Sequence, residues 1–184
     1  MKKFFNICLF FIFVLNTNIH HAKEIVIYAD SISYDENKNI IAKGKAKVIS
    51  ENEILTSDLI ILDQNQNIYL LPEEFQFKDQ NNNFYYGSSG TFSKDLNNSL
   101  IQDVKIQLID GSRIVGKSAK RSDHIDIISK GVYSPCKSRI KVANFICPTW
   151  QLEGEKLLHD NKNLFLYQKH SKMRVVNTPV FYLP

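Results

Sequence analysis

The residues best suited to chemistry lie near the C-terminus. The stretch YSPCKSRIKVANFICPTWQ (133–151) holds Cys136 and Cys147, ten residues apart, with Pro135 before the first and Pro148 after the second. Such a pair can ligate a metal, cycle redox state, supply a nucleophile or staple the chain. A structural zinc site needs four ligands, and His124, His159 and His170 show no paired ligand spacing. Ser134, His159 and Asp160 have the types of a hydrolase triad. Adjacent residues of a strand point to opposite faces, however, so His159 and Asp160 are poorly placed for one. There is no Gly-x-Ser-x-Gly elbow and no His-Glu-x-x-His helix. No catalytic residue, metal or cofactor is therefore assigned, and the expectation is a protein that is not an enzyme.

Which chemistry the cysteines do depends on the compartment. The chain opens MKKFFNICLFFIFVLNTNIHHA. Two lysines, an apolar run from Phe4 to Leu15 and a small residue at Ala22 make a signal peptide over 1–22. The run is short for a spanning helix, which needs about 20 apolar residues. An N-terminal anchor is the alternative reading. Removal of 1–22 takes two lysines and no acid from a chain of net charge +4. An exported chain keeps two cysteines, which read first as a disulfide.

The 184 residues suit one domain. Hydrophobic and charged fractions of 43% and 23% are those of a globular protein. No Lys/Arg run is interleaved with aromatics, so no nucleic-acid partner is expected.

The elements that must position these residues are strands. In IIAKGKAKVIS (40–50), Ala42, Gly44, Ala46 and Val48 fall on one face and Lys43, Lys45 and Lys47 on the other. Val104, Ile106 and Leu108 alternate with Lys105 and Gln107 in the same way. HIDII sets Ile125 and Ile127 opposite His124 and Asp126, and TWQLEG sets Trp150, Leu152 and Gly154 opposite Gln151 and Glu153. No helical stripe follows Ala22. Units of two short strands around a polar turn begin at Ala29, Ser57, Ser88, Ser118 and Gly154, spaced 28, 31, 30 and 36 residues apart. One hairpin cannot bury its apolar face alone. Stacked hairpins can, as a solenoid or as two sheets folded over each other. The small residues Ala42, Gly44 and Ala46 either line an open groove or face large residues opposite, and alternation alone leaves both readings open.

The unit ADSISYDENKNIIAKGKAKV resembles the repeat of the organic-solvent-tolerance (OstA-like) domain of lipopolysaccharide transport proteins. The segment from Cys136 to Pro184, with Pro148 and Trp150, His159 and Asp160, and the closing NTPVFYLP, resembles the end of the N-terminal periplasmic domain in the LPS-assembly outer-membrane protein (LptD) family. The resemblance implies an all-β, OstA-like β-jelly-roll of taco-like stacked antiparallel hairpins over 23–176, without the C-terminal β-barrel that follows it in that family. It implies a role in lipopolysaccharide transport and assembly at the outer membrane, in the periplasm. Acyl chains would ride on inward residues: Ala42, Ala46 and Val48, then Val104, Ile106 and Leu108, then Ile125 and Ile127, and finally Leu152, Met173 and Val175. Ile25, Val26, Ile27, Tyr28 and Ala29 form an apolar edge strand. They would accept a periplasmic bridge protein by β-strand augmentation. Residues 177–184, bracketed by Pro179 and Pro184, would end the sheet and form the hinge toward the outer-membrane barrel and its lipoprotein plug. In the family a cysteine here bonds to one in the barrel, so in the isolated domain Cys136 is expected to pair with Cys147. A free-standing bridge protein of the same system, or a structural or adhesive β-repeat protein, are the other readings.

Overall fold

The computed structural model describes residues 24–135, 139–142, 145–176 and 178–184. The signal peptide expected over 1–22 and the partner proposed for Cys147, Cys136, lie outside them. The described residues are strands and turns, with no helix. In order they are β1 (Ile25–Tyr28), β2 (Ser31–Tyr34), β3 (Ile40–Ser50), β4 (Glu53–Asp63), β5 (Ile68–Leu71), β6 (Phe75–Lys78), β7 (Phe84–Gly87), β8 (Ser89–Ser93), β9 (Asn98–Gln102) and β10 (Lys105–Gln107). Then come β11 (Arg113–Val115), β12 (Ser118–Ser122), β13 (Ile125–Ser134), β14 (Arg139–Val142), β15 (Phe145–Pro148), β16 (Trp150–Asp160), β17 (Phe165–Lys169), β18 (Ser171–Val175) and β19 (Thr178–Leu183). All pairings are antiparallel, and β14 and β15 form a hairpin of their own.

The turns follow from aspartate chemistry. Asp35, Asp63, Asp79, Asp95, Asp110 and Asp160 each accept the N–H two residues on. This Asx geometry competes with strand continuation and reverses the chain. Lys38, Asn67, Asn82, Leu96 and Leu164 then take positive φ near the turn exits.

The main sheet is creased into two layers. Strands β3, β4, β13 and β16, of 10 or 11 residues, run through both. The first layer runs β2, the start of β3, the end of β4, β5, β8, β9, β12, the start of β13, the end of β16, and β17. The second runs β1, the other halves of those long strands, β6, β7, β10, β11, β18 and β19. In β3 the crease is a bulge between Lys43 and Ala46, with φ of 74° at Gly44 and 48° at Lys45. A Cβ on Gly44 would stand 2.6 Å from the Asp30 carboxylate. Gly44 thus marks the crease and does not continue the small-residue wall of Ala42 and Ala46.

The stacked-hairpin architecture is the one the sequence leads to, with two further differences of detail besides Gly44. Asp126 and Ile128 are buried, whereas Ile125 and Ile127 are half-buried on the opposite face of β13. The alternation in HIDII therefore runs in the other phase. The closing segment also does not end the sheet, because Thr178–Leu183 is β19, paired along β18. Pro179 fits there because β19 is an edge strand with a register shift at Met173/Arg174.

Candidate functional site

Cross-strand register lines the interior with continuous rows of side chains. In the second layer one row runs Ile27, Val48, Leu55, Phe77, Tyr85, Ile106, Ile114, Tyr133, Leu152, Met173 and Phe181. At about 4.8 Å per strand it is roughly 48 Å long, more than the hydrocarbon core of one bilayer. Its facing row in the first layer begins Tyr34, Ile40, Leu62, Tyr69 and Phe92. It then changes character to Ser99, Arg121, Asp126 and His159 before closing on Leu166.

The middle of this interior is filled. Phe92 from the first layer meets Phe75 edge-on at 5.4 Å and Phe77 at 5.0 Å, both from the second. Of the expected lipid-facing residues, Ala42, Ala46, Val48, Val104 and Ile106 are buried in this core, and Leu108 packs against it. The small residues are thus enclosed in a packed core. Ile125 and Ile127 stand outside it. Leu152, Met173 and Val175 are half-buried beside the final strands.

Both ends are open. Ile32 and Tyr34, opposite Ala42 and Ile40 in β3, are 52% and 70% exposed. At the far end Phe181, opposite Met173, is 58% exposed. Among the described residues β1, β2, β17 and β19 each pair on one side only. Ile25 and Ile27 pack against the core while Tyr28 is exposed.

A buried polar cluster closes the rim between the layers. The Tyr85 hydroxyl donates to Asp126 Oδ2 at 2.8 Å, and Asn161 Nδ2 donates to the same oxygen at 2.6 Å. His159 Nδ1 lies 3.3 Å from it. Asn83 Nδ2 donates to Asn161 Oδ1 at 3.1 Å, and the Arg121 guanidinium lies 3.5 Å from Asp79. It also stacks 5.0 Å from the Tyr85 ring centre and 5.3 Å from that of Phe77. Asp79, Asn83 and Tyr85 belong to the second layer and Arg121, Asp126, His159 and Asn161 to the first, so the contacts span the rim. Burial, reinforced by the Asp126 charge, pushes the Tyr85 phenol well up and keeps it neutral. Burial likewise pushes Tyr69 up to about 12. Burial works against the Arg121 charge, but the nearby acids Asp126, Asp79 and Glu53 outweigh it. A buried cation of this kind is tolerated only when surrounded by acceptors.

The residues weighed for catalysis are not brought together. The Ser134 hydroxyl donates to the Trp150 carbonyl at 2.7 Å, His159 faces Asp126, and Asp160 caps its turn through Lys162 and Asn163. His124 is exposed and His170 lies 2.9 Å from the Tyr182 hydroxyl. Sequence reading missed the rim cluster, in which Asn83 and Asn161, 78 residues apart, are hydrogen-bonded. It also missed Ile32, Tyr34, Leu166 and Phe181. The signal for the latter was present, since each sits in alternation on a first or last strand.

No family model matches the chain, and no curated protein matches it. Among solved structures, it is similar to the crystal structure of LptH, the LptA homologous periplasmic component of the conserved lipopolysaccharide transport device from Pseudomonas aeruginosa. Identity is 12% over 83% of this chain and 95% of that chain, with a TM-score of 0.30. The transport role so named is that of LptH.

Proposed function

We propose that the chain is a lipid-transfer module of the periplasm, which takes up the acyl chains of lipopolysaccharide and passes them on toward an outer-membrane translocon. The observation that carries the reading is the row from Ile27 to Phe181, apolar along its length except for the Tyr85 and Tyr133 hydroxyls and exposed at the far end. Such an interior works by partition. Each methylene moved out of water gains about 0.8 kcal/mol, and no covalent step is needed. The half-buried Leu152 and Met173 and the exposed Ile32, Tyr34 and Phe181 would meet the lipid first. Val48 and Ile106 would meet it only once the layers part.

The ends suit strand addition to similar modules. Glu24, Asp30, Asp35 and Glu36 surround the first strands, against Lys23 and Lys38. Lys162, Lys169, Lys172 and Arg174 surround the last, with no acid after Asp160. In this reading Ile25–Ala29 accepts a bridge protein, and the Pro179–Pro184 strand faces the barrel and its plug. A free-standing bridge protein would use the same two ends.

The experiment is photo-crosslinking from single inward positions, Phe181 and Ile32 at the ends and Ile106 in the middle, in cells making lipopolysaccharide. Lipopolysaccharide adducts at the ends and the middle are expected. No adduct at any of the three rejects the reading. It would favour the structural repeat protein, for which the packed Phe75, Phe77 and Phe92 are the supporting observation.

A further inference from the structure

The two walls of the interior are unlike. The row of the second layer is apolar but for two hydroxyls, whereas the facing row turns polar halfway along. Tyr69, Phe92, Ser99, Arg121 and Asp126 follow one another in it, each opposite the next across the strands. All five are buried. The Tyr69 hydroxyl, Ser99 Oγ, Arg121 Nη1 and Asp126 Oδ1 make no hydrogen bond to another group of the protein. Asn39, Ser50 and Gln168 carry one such atom each, outside this row. The cause lies across the interior. Leu55, Phe77, Tyr85 and Ile106 offer a single hydroxyl there, and Asp126 Oδ2 already takes it at 2.8 Å.

A buried polar atom without a partner costs free energy that contact with water returns. The groups that clasp the rim stand in the same place. Tyr85 donates to Asp126, Asn161 accepts from Asn83 at 3.1 Å, and Arg121 lies 3.5 Å from Asp79. Each of these pairs joins one layer to the other. Unspent and clasping groups thus sit together and act in opposite directions. We infer that this stretch is a built-in opening device. The rim between β6–β7 and β12–β13 exchanges between a clasped and a parted form, and the four unspent atoms lower the cost of parting. In the parted form Tyr69, Ser99, Arg121 and Asp126 reach water, and Tyr85 leaves Asp126. The clasped form is the resting one, because parting also wets Leu55, Phe77 and Ile106. The inference concerns the chain alone in water and holds whether or not a lipid is carried.

The test uses the full chain carrying Val104→Cys, a core position that is 1% exposed. Alkylation is read by mass at the peptide that holds residue 104, so Cys136 and Cys147 do not interfere. Alkylation with a shallow dependence on urea is expected, because parting exposes far less surface than global unfolding. Tyr69→Phe with Ser99→Ala removes two unspent groups and no bond of the clasp. It should slow this alkylation at least about tenfold, and each single replacement should give part of the effect. Tyr85→Phe weakens the clasp and should speed it at least about tenfold. Unchanged or faster alkylation in Tyr69→Phe with Ser99→Ala, the result that enclosed bridging waters would give, would overturn the inference. So would alkylation that keeps the full slope of global unfolding at every urea concentration, or a rate indifferent to Tyr85→Phe.

Discussion

Replacing Tyr85 with phenylalanine tests whether the two layers are held together across their rim. The ring contacts survive the change, because Phe fills the same volume 5.8 Å from Phe77 and 5.0 Å from Arg121. Only the hydroxyl goes. It donates to the Asp126 carboxylate at 2.8 Å and accepts from Asn161 at 3.2 Å. A hydrogen bond to a charged partner contributes about 1.5–3 kcal/mol. The Asn161 amide keeps its 2.6 Å bond to Asp126 and is not orphaned, so its loss adds little. The sum is about 2–3 kcal/mol, or roughly 4–12 °C in Tm for a chain of this size. Urea unfolding followed by far-UV dichroism and by the fluorescence of Trp150 measures it. An unfolding free energy within about 0.5 kcal/mol of the parent's would refute the reasoning, because a buried carboxylate cannot lose a donor for nothing.

Gly87→Ala places a Cβ 2.6 Å from Ile101 and 2.7 Å from the Phe75 ring, and overpacking of this kind costs about 1–3 kcal/mol in the same assay. The backbone and side-chain donors of Asn163, with the Lys162 amide, hold the Asp160 carboxyl below its ordinary range. A depressed folded pKa stabilises above the unfolded value near 3.9 and is lost as pH falls through the folded one. Asp160→Asn should therefore flatten the loss of stability below about pH 4, and an unchanged acid limb would count against it. The proposed Cys136–Cys147 disulfide should yield a linked peptide lighter by two hydrogens without reductant. It should add about 3 kcal/mol through loop closure, and two alkylatable thiols in the exported protein would exclude it.

Much of the second layer was legible in the sequence, because its strands alternate. Val104, Ile106 and Leu108 read correctly as inward from their lysine and glutamine neighbours. The first layer was harder for a physical reason. Its strands carry apolar residues on both faces, as in Ile125, Ile127 and Ile128, so hydrophobicity cannot choose the phase of alternation. Asp126 was set outside on that account, yet it is buried among donors from Tyr85, His159 and Asn161. Pairing partners, which no local pattern contains, decide its direction. Proline cannot donate to a ladder, so Pro179 reads as the end of the sheet, but an edge strand has a side on which no donor is needed.

The long strands also set where the protein can yield. β3 and β4 bind the layers near the first end, and β13 and β16 bind them near the last, each by unbroken backbone through the crease. Between these pairs, β5 to β12 lie wholly in one layer or the other. They are joined across the crease by short links at 72–74, Ser88, 103–104 and 116–117. The molecule is therefore mechanically uneven, stiff at both ends like a hinge pinned at its tips and compliant along its waist. Separation at the waist needs rotation at four links and loss of the side-chain contacts between layers, but no backbone hydrogen bond within either layer. Amide exchange should record this as faster opening at those links than at the creases of β3, β4, β13 and β16, so that the bore widens first at its centre while its ends keep their shape.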